Sequence, residues 1–493
     1  MELIKKHLNK FNTILIAANA AVLVIFTCLL AITTKQDHYY PVNDDEHVYI
    51  NSARMFSENT CVLAPTSIEG KRSSIGKTHW YGPVFHVVYG SIFKIFGSGK
   101  FVFLWSNYIF LMLAIVVIYF FQTTLTKKLL FGFLILSSYA AFPFVLTFFP
   151  EPFIIFITIC AIWCYSRVKG RNSLLLFIAV IMLATLVRVT FSFFFVLVFF
   201  LRSDMVSLKL WQKILFAFVT FLWGVVVFKF FCAPAQVQVL KSAMNFDSRF
   251  VQTLIGNLTL NIQTLYKYLF FSPFGLVPLL TFPICYILIF TSRPNSSDQR
   301  VIKYGALCLT TLSVIIFLSF YTVDIFFFEK QLIIFYIFLI YSLIQLSETP
   351  KFLFLINFIV FLPFSYAKVR EHIKDRIENA IVMKKDYPKL AAFDSCVSYL
   401  KFSKKYNNLV LLDLNNGCYP RNSLLGNLTF KVQNTCVSYM TSLSSINDKS
   451  LVDLLNNNKV KPDYVITTDL LKGDDHFWTL RKTSNCFNLY EVR

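Results

Sequence analysis

The sequence predicts a mainly α-helical polytopic membrane protein with a smaller C-terminal α/β domain. Three observations carry that reading. Of 493 residues, 56% are apolar and only 15% charged, with 56 phenylalanines, whereas soluble domains carry about 25% charged residues. Apolar runs of ~20 residues recur, each long enough for a ~30 Å hydrocarbon layer. From about residue 367 the pattern turns polar and then strand-like. The net charge of +20 would suggest nucleic acid in a soluble chain. Here Lys and Arg gather in short loops, as the positive-inside bias demands. No basic stretch interleaves with aromatics like a nucleic-acid groove, so membrane lipids are the expected partners and nucleic acid is not.

The first apolar run, 13-TILIAANAAVLVIFTCLLAIT-33, follows Lys5, Lys6 and Lys10. It is too long for a signal-peptide core and lacks a small-x-small cleavage site, so it is read as a retained first helix with its N-terminus inside. A long outer loop, about 34–80, follows. The stretch 81-YGPVFHVVYGSIFKIFG-97 is broken by Gly82, Pro83 and Gly90 and reads as a half-buried interfacial helix. Helices are then expected at about 101–121, 129–148 and 152–166. The block 173–201 is about 29 residues, too long for one crossing at 1.5 Å per residue, and basic at both ends. A hairpin turning near 185-TLVRVT-190 resolves both problems and sets Arg188 at the outer surface. Further helices are expected at about 211–231, 273–292, between 303 and 324, between 330 and 347, and at 352–366, with a second outer loop at about 232–271. The sum is about eleven crossings, N inside and C outside, divided as a transmembrane domain 1–366 and an outer domain 367–493.

In the second domain, 368-KVREHIKDRIENAIVMKKDYPKL-390 is helical in pattern, and 409-LVLLDL-414 and 463-DYVITTDL-470 read as strands between Asn/Gly turns. Cys396, Cys418, Cys436 and Cys486 form one or two disulfides in an oxidising compartment, or remain buried thiols. No His/Cys cluster has zinc spacing. Sequons stand at Asn257 and Asn427. No internal repeat of the transporter kind is visible.

Chemistry concentrates in the outer loops. Asp44, Asp45 and Glu46 head a short helix in 43-NDDEHVYINSARMF-56. Capping and the helix dipole account for one or two of these carboxylates, not readily for three beside a membrane. Downstream come 79-HWYGPVFHVVYGSIFKIFG-97, 147-TFFPEP-152 and 183-LATLVRVTF-191. Each candidate has a plainer explanation: Glu151 as a first-turn acid, Arg188 as a snorkelling cation, Arg54 as the partner of Glu58 one turn on, and Glu329 with Lys330 as a local pair.

The order of these stretches resembles the GT-C superfamily of polyprenyl-phosphate-sugar-dependent glycosyltransferases. The resemblance covers about the first 200 residues. It rests on Asp45-Glu46 after the first helix, Ala53-Arg54-Met55, Pro83 through 95-IFG-97, Glu151 opening a later helix and 186-LVR-188 closing another. Gly82-Pro83 stands where those enzymes commonly have paired prolines, which leaves Lys77 and His79 unaligned. The resemblance implies a GT-C-like fold, a polyprenyl-phosphate sugar donor, inversion at the anomeric carbon and Asp45 as general base; from the residues alone, Glu46 is nearly as good. Such a reaction needs a carboxylate to raise the nucleophilicity of an acceptor hydroxyl and a cation to receive the leaving phosphate. Asp45, Glu46 and Glu151 are the candidate catalytic residues. Arg188, Arg54, His79, Trp80 and Lys330 are candidates for holding donor or sugar. No spacing demands a cofactor, and metal dependence stays open: Asp44, Asp45 and Glu151 offer oxygens to a divalent cation.

The layout also looks like the prophage-type serotype-converting O-antigen glucosyltransferases. That implies glucose, a lipid-linked O-antigen acceptor and a bacterial inner membrane with the site on the periplasmic face. Transferases acting on lipid A, teichoic acid or protein are alternatives within the superfamily. Outside it stand a lipid or solute transporter, which would need charges at mid-membrane, and a non-catalytic assembly subunit.

Overall fold

A computed structural model of the chain describes residues 2–35, 44–60, 62, 66–68, 81–121, 124–138, 141–142, 144–201, 208–231, 250–271, 276–320, 330–347, 350–385, 395–396, 398, 407–412, 435–440, 463–467, 478–484 and 487–492. By length and composition, four helices suffice to cross a membrane: Asn9–Thr34, Phe101–Tyr119, Leu210–Phe231 and Ser297–Phe320. Six shorter apolar helices of 10–17 residues accompany them among the described residues. The chain is a polytopic, mainly helical membrane protein, and many side chains on the long helices face outward, among them Val24, Val116, Phe218 and Ile315. In lipid such faces need no protein cover.

Helix α1 (Glu2–Thr34) leads to α2 (Asp44–Asn59), which begins at the acidic cluster. Helix α3 (Pro83–Phe96) carries Pro83 in its first turn and ends at Gly97, whose φ of 92° is a left-handed stop. At 14 residues it is about 21 Å long, too short to cross, and it lies against α2. The two approach so closely at Gly90 that an added Cβ would sit 2.5 Å from the Phe56 ring.

Helix α4 (Lys100–Tyr119) matches its expected span, but α5 (Leu125–Leu136) ends well before residue 148. The physical reason is visible at its end: the last turn tightens, and Ser138 N–H and Oγ both reach the Ile135 carbonyl, at 3.2 and 2.8 Å, in place of the N–H that a longer helix would have supplied. A single 3-10 turn (Phe144–Leu146) precedes α6 (Glu151–Ser166). Helix α7 (Arg171–Val187) stops at Arg188, which is extended, and a 3-10 arm (Val189–Phe200) packs back against it. The break falls where the hairpin turn was expected, with a 3-10 rather than an α second arm.

Helix α8 (Leu210–Phe231) is followed, inside the expected outer loop, by a 22-residue helix α9 (Phe250–Phe271). Its Asn257 and Asn261 side chains point inward and donate to the Ser319 and Leu318 carbonyls at 3.0 and 2.7 Å, while Val251, Ile255 and Ile262 face out. The Asn257 amide is thus already engaged; Asn427 lies outside the described residues. Helices α10 (Leu276–Thr291), α11 (Ser297–Phe320) and α12 (Ile333–Leu346) follow, α12 being buried nearly all round. Helix α13 (Pro350–Ile356), a π turn (Asn357–Phe361) and α14 (Leu362–Lys385) form one continuous rod, so helical structure runs straight through the domain boundary expected at 366.

Five strands of the C-terminal region and one from the first outer loop build a six-stranded mixed sheet: β1 (Thr66–Ile68), β2 (Asn407–Leu412), β3 (Thr435–Met440), β4 (Tyr464–Thr467), β5 (Trp478–Ser484) and β6 (Phe487–Val492). Its order is β1-β3-β2-β4-β6-β5. The edge strand β1 comes from the first outer loop and pairs in parallel with β3, Ser67 opposite Ser438. The sheet therefore ties loop 1 to the C-terminal region. Cys396 is a buried free thiol, and burial pushes its pKa up to about 11. Cys418, Cys486 and the Cys436 side chain lie outside the described residues.

Candidate active site

The site assembles from segment ends rather than from helix middles. Tyr81 and Arg188 form an isolated antiparallel bridge, reinforced by Gly82 N–H donating to the Val187 carbonyl at 2.8 Å. Only glycine allows this approach, because a Cβ on residue 82 would stand 2.0 Å from the Leu186 carbonyl oxygen. The bridge places the Arg188 guanidinium 5.2 Å from the Tyr81 ring centroid. A second segment, 147–150, is pinned by Asn107 of α4. Asn107 Nδ2 donates to the Phe149 and Thr147 carbonyls at 2.8 and 3.1 Å, and the Tyr89 hydroxyl fixes the amide by donating to Asn107 Oδ1 at 2.6 Å.

Glu151 stands where these segments meet, as the first residue of α6. It is fully buried. The Tyr81 hydroxyl donates to its Oε1 at 2.5 Å, whereas Oε2 has no hydrogen-bond partner among the described residues. Burial opposes the charged carboxylate; Lys330, Arg188 and the Tyr81 hydroxyl, in that order, favour it. Lys330, just ahead of α12, is buried with its Nζ 3.8 Å from the Phe149 ring centroid. Arg188 Nη2 donates to Gln331 Oε1 at 2.9 Å, and its Nη1 is buried with no partner among the described residues. One carboxylate oxygen and one guanidinium nitrogen are thus left with unused hydrogen-bonding capacity in a closed, aromatic-lined site. Tyr49 joins the lining, its ring 4.8 Å from Tyr81 and 5.9 Å from Phe149.

Glu46, also fully buried, is held on the other side of the 148–151 segment. Its Oε1 accepts from the Phe148 N–H at 3.0 Å and from the Arg376 guanidinium of α14, which lies over the Phe148 ring. Arg54 is buried and pairs with Glu58 at 3.5 Å, one turn along α2. Burial lowers its pKa and Glu58 opposes that shift. The backbone of Asp44 and Asp45 opens α2, but their side chains, together with His79, Trp80 and Glu329, lie outside the described residues.

Of the residues singled out in the sequence, Glu151, Arg188 and Lys330 come together, Glu46 lies nearby in an ion pair, and Arg54 stands apart with Glu58. Four participants were not anticipated: Tyr81, Gln331, Asn107 and Arg376. Tyr81 and Gln331 are each next to a chosen residue in sequence. Asn107 and Arg376 carry no local signal, one being a polar residue inside an apolar helix and the other one cation among many in a polar tail. No group of three His, Cys, Asp or Glu among the described residues is arranged to hold a metal. The surroundings of Glu151 do not suit a cation, because two cationic side chains already face it.

No family model matches the chain, and no curated protein matches it. Among solved structures, ArnT from Cupriavidus metallidurans bound to undecaprenyl phosphate aligns at a TM-score of 0.47 and 11% identity, covering 95% of this chain and 97% of that one. The Archaeoglobus fulgidus oligosaccharyltransferase in complex with Zn and sulfate aligns at 0.48 and 12%, covering 91% and 68%. The functional reading rests on the residues of the site.

Proposed function

We propose that the chain is a GT-C-type glycosyltransferase that moves a sugar from a polyprenyl-phosphate donor to an acceptor hydroxyl outside the cytoplasm. The observation that carries this reading is the buried Glu151–Arg188–Lys330 cluster, with its spare carboxylate oxygen and spare guanidinium nitrogen. The order of the loop motifs supports it from the sequence side.

In this reading the acceptor O–H loses its proton to a carboxylate as its oxygen attacks the anomeric carbon. The bond from that carbon to the phosphate oxygen breaks, and the polyprenyl phosphate leaves with the electron pair. Arg188 and Lys330 receive the growing phosphate charge in a site shielded from water, where fixed cations act most strongly. Asp45 is the base implied by the motif resemblance. Glu151 is the alternative that the buried geometry supports, through its unpartnered Oε2. Glu46, engaged by Phe148 N–H and Arg376, is assigned to positioning the 148–151 segment. Arg54 is left to its Glu58 pair. His79 and Trp80 remain candidates for stacking on the sugar. No step runs through a metal ion.

The buried charges also favour a transferase over a transporter. Glu151 opens α6, Arg188 follows α7, Lys330 precedes α12 and Glu46 lies in the first turn of α2, all at segment ends rather than in the middle of apolar helices. We further propose glucose as the sugar and lipid-linked O-antigen as the acceptor, in a bacterial inner membrane with residues 367–493 on the periplasmic side.

The test uses purified full-length protein with radiolabelled undecaprenyl-phosphate glucose and lipid-linked O-antigen. Label is expected to enter the polysaccharide with the unaltered protein and not with Glu151→Gln. If no lipid-phosphate sugar is bound or consumed, the reading fails.

A further inference from the structure

Two elements carry the candidate active site at one end and converge again at the other. Helix α6 begins at Glu151 and is followed by Arg167; its 16 residues span about 24 Å. Lys330 and Gln331 precede α12, and Gln345 lies near its end, after about 21 Å of helix. At this far end the C-termini of α4, α6 and α12 and the N-terminus of α5 frame an open surface pocket of about 790 Å³. Tyr119, Phe120, Phe121, Thr124, Gln345 and three cations, Lys127, Lys128 and Arg167, line it, with no acidic side chain among them.

Each cation is anchored by one hydrogen bond to a main-chain carbonyl. Lys127 Nζ donates to Gln345 O at 3.2 Å, Lys128 Nζ to Tyr119 O at 2.6 Å and Arg167 Nη2 to Phe120 O at 2.7 Å. Those bonds complement the negative ends of the helices. They use one donor apiece, whereas a lysine has three and an arginine five. Arg167 Nε is buried with no hydrogen-bond partner among the described residues. Dipole neutralisation explains the anchors and leaves the remaining donors and the cavity unexplained. Beside the cavity, Tyr119, Phe120 and Leu125 are exposed, the apolar and aromatic surface expected where a helix bundle meets acyl chains.

We propose that this cavity binds the headgroup of an anionic phospholipid from the leaflet opposite the Glu151 site. The cations hold the phosphate, and the acyl chains run over Tyr119, Phe120 and Leu125. Basic pockets between membrane helices are suited to such headgroups. This site does not depend on the sugar-transfer reading.

The test is native mass spectrometry of the full chain in detergent, titrated with phosphatidylglycerol, with phosphatidylcholine and with inorganic phosphate. The unaltered protein is expected to retain phosphatidylglycerol in preference to the other two. The K127Q/R167Q variant should bind it about thirtyfold more weakly, the loss expected from two surface cations, and R167Q or K128Q alone about fivefold. The K209Q/R293Q variant removes the same charge from exposed positions outside the cavity and should keep the affinity. Equal retention of phosphatidylglycerol and phosphatidylcholine would overturn the proposal. So would unchanged affinity in R167Q and K128Q, or inorganic phosphate binding as tightly as the lipid.

Discussion

Glu46 and Glu151 are both fully buried, and they flank the same short segment, yet they are held in opposite ways. Glu46 Oε1 takes a backbone N–H and a guanidinium, and the carboxylate fastens α14 to the 148–151 turn. Glu151 gives one oxygen to Tyr81 and keeps the other without a partner among the described residues, beside two cations. A buried polar atom left unpaired costs stability, about 1–3 kcal/mol or more when charged. A fold bears such a cost where a ligand later supplies the partner. In the proposed reading, Glu46 builds the site and Glu151 is the carboxylate open to chemistry.

Substitution at the two positions should break differently. Glu151→Gln is expected to lower transfer by ~10²–10⁴-fold, the usual contribution of a catalytic proton acceptor, with donor binding retained. Glu46→Gln instead breaks a buried ion pair with Arg376, a change that typically costs about 3–5 kcal/mol. Its midpoint should fall sharply, and replacing both Glu46 and Arg376 with Leu should recover much of it. Gly82→Ala forces the Tyr81–Arg188 bridge apart, and a misplacement of ~1 Å can cost about 10²-fold in rate; kcat should drop while donor binding weakens less. Tyr81→Phe removes one hydrogen bond to Glu151 and should lower transfer by about 10- to 100-fold, since bonds to charged groups contribute ~1.5–3 kcal/mol. Arg54→Lys keeps the charge beside Glu58 and should leave donor binding unchanged, as befits a residue that serves α2 rather than the substrate.

Much of this was legible in the sequence. Apolar runs and basic loops located α4, α6, α8 and α10 to within a few residues, and the C-terminal end of α1. The break at Arg188 was set by the length of its block and its two basic flanks. Loop carboxylates and Arg188 were visible because charge is scarce in so apolar a chain. What failed had a tertiary cause. Helix α5 stops early where Ser138 takes the Ile135 carbonyl, and Asn107 holds residues 147–149 further on; hydropathy does not register such bonds. Helix α9 turns its asparagines inward and its apolar residues outward, so its mixed composition read as a loop. Arg376 was hidden because its partner lies 330 residues away in sequence. Strand β1 was hidden likewise, since a three-residue strand acquires its identity from the sheet it joins.

The most direct measurement is single-turnover release of polyprenyl phosphate from a radiolabelled lipid-phosphate sugar, comparing the unaltered protein with Glu151→Gln and Asp45→Asn, alongside donor binding by each. Donor binding retained and release abolished in Glu151→Gln is the expected result. Normal release by Glu151→Gln would contradict the assignment of the open carboxylate to the reaction, and absence of donor binding by the unaltered protein would contradict the transferase itself.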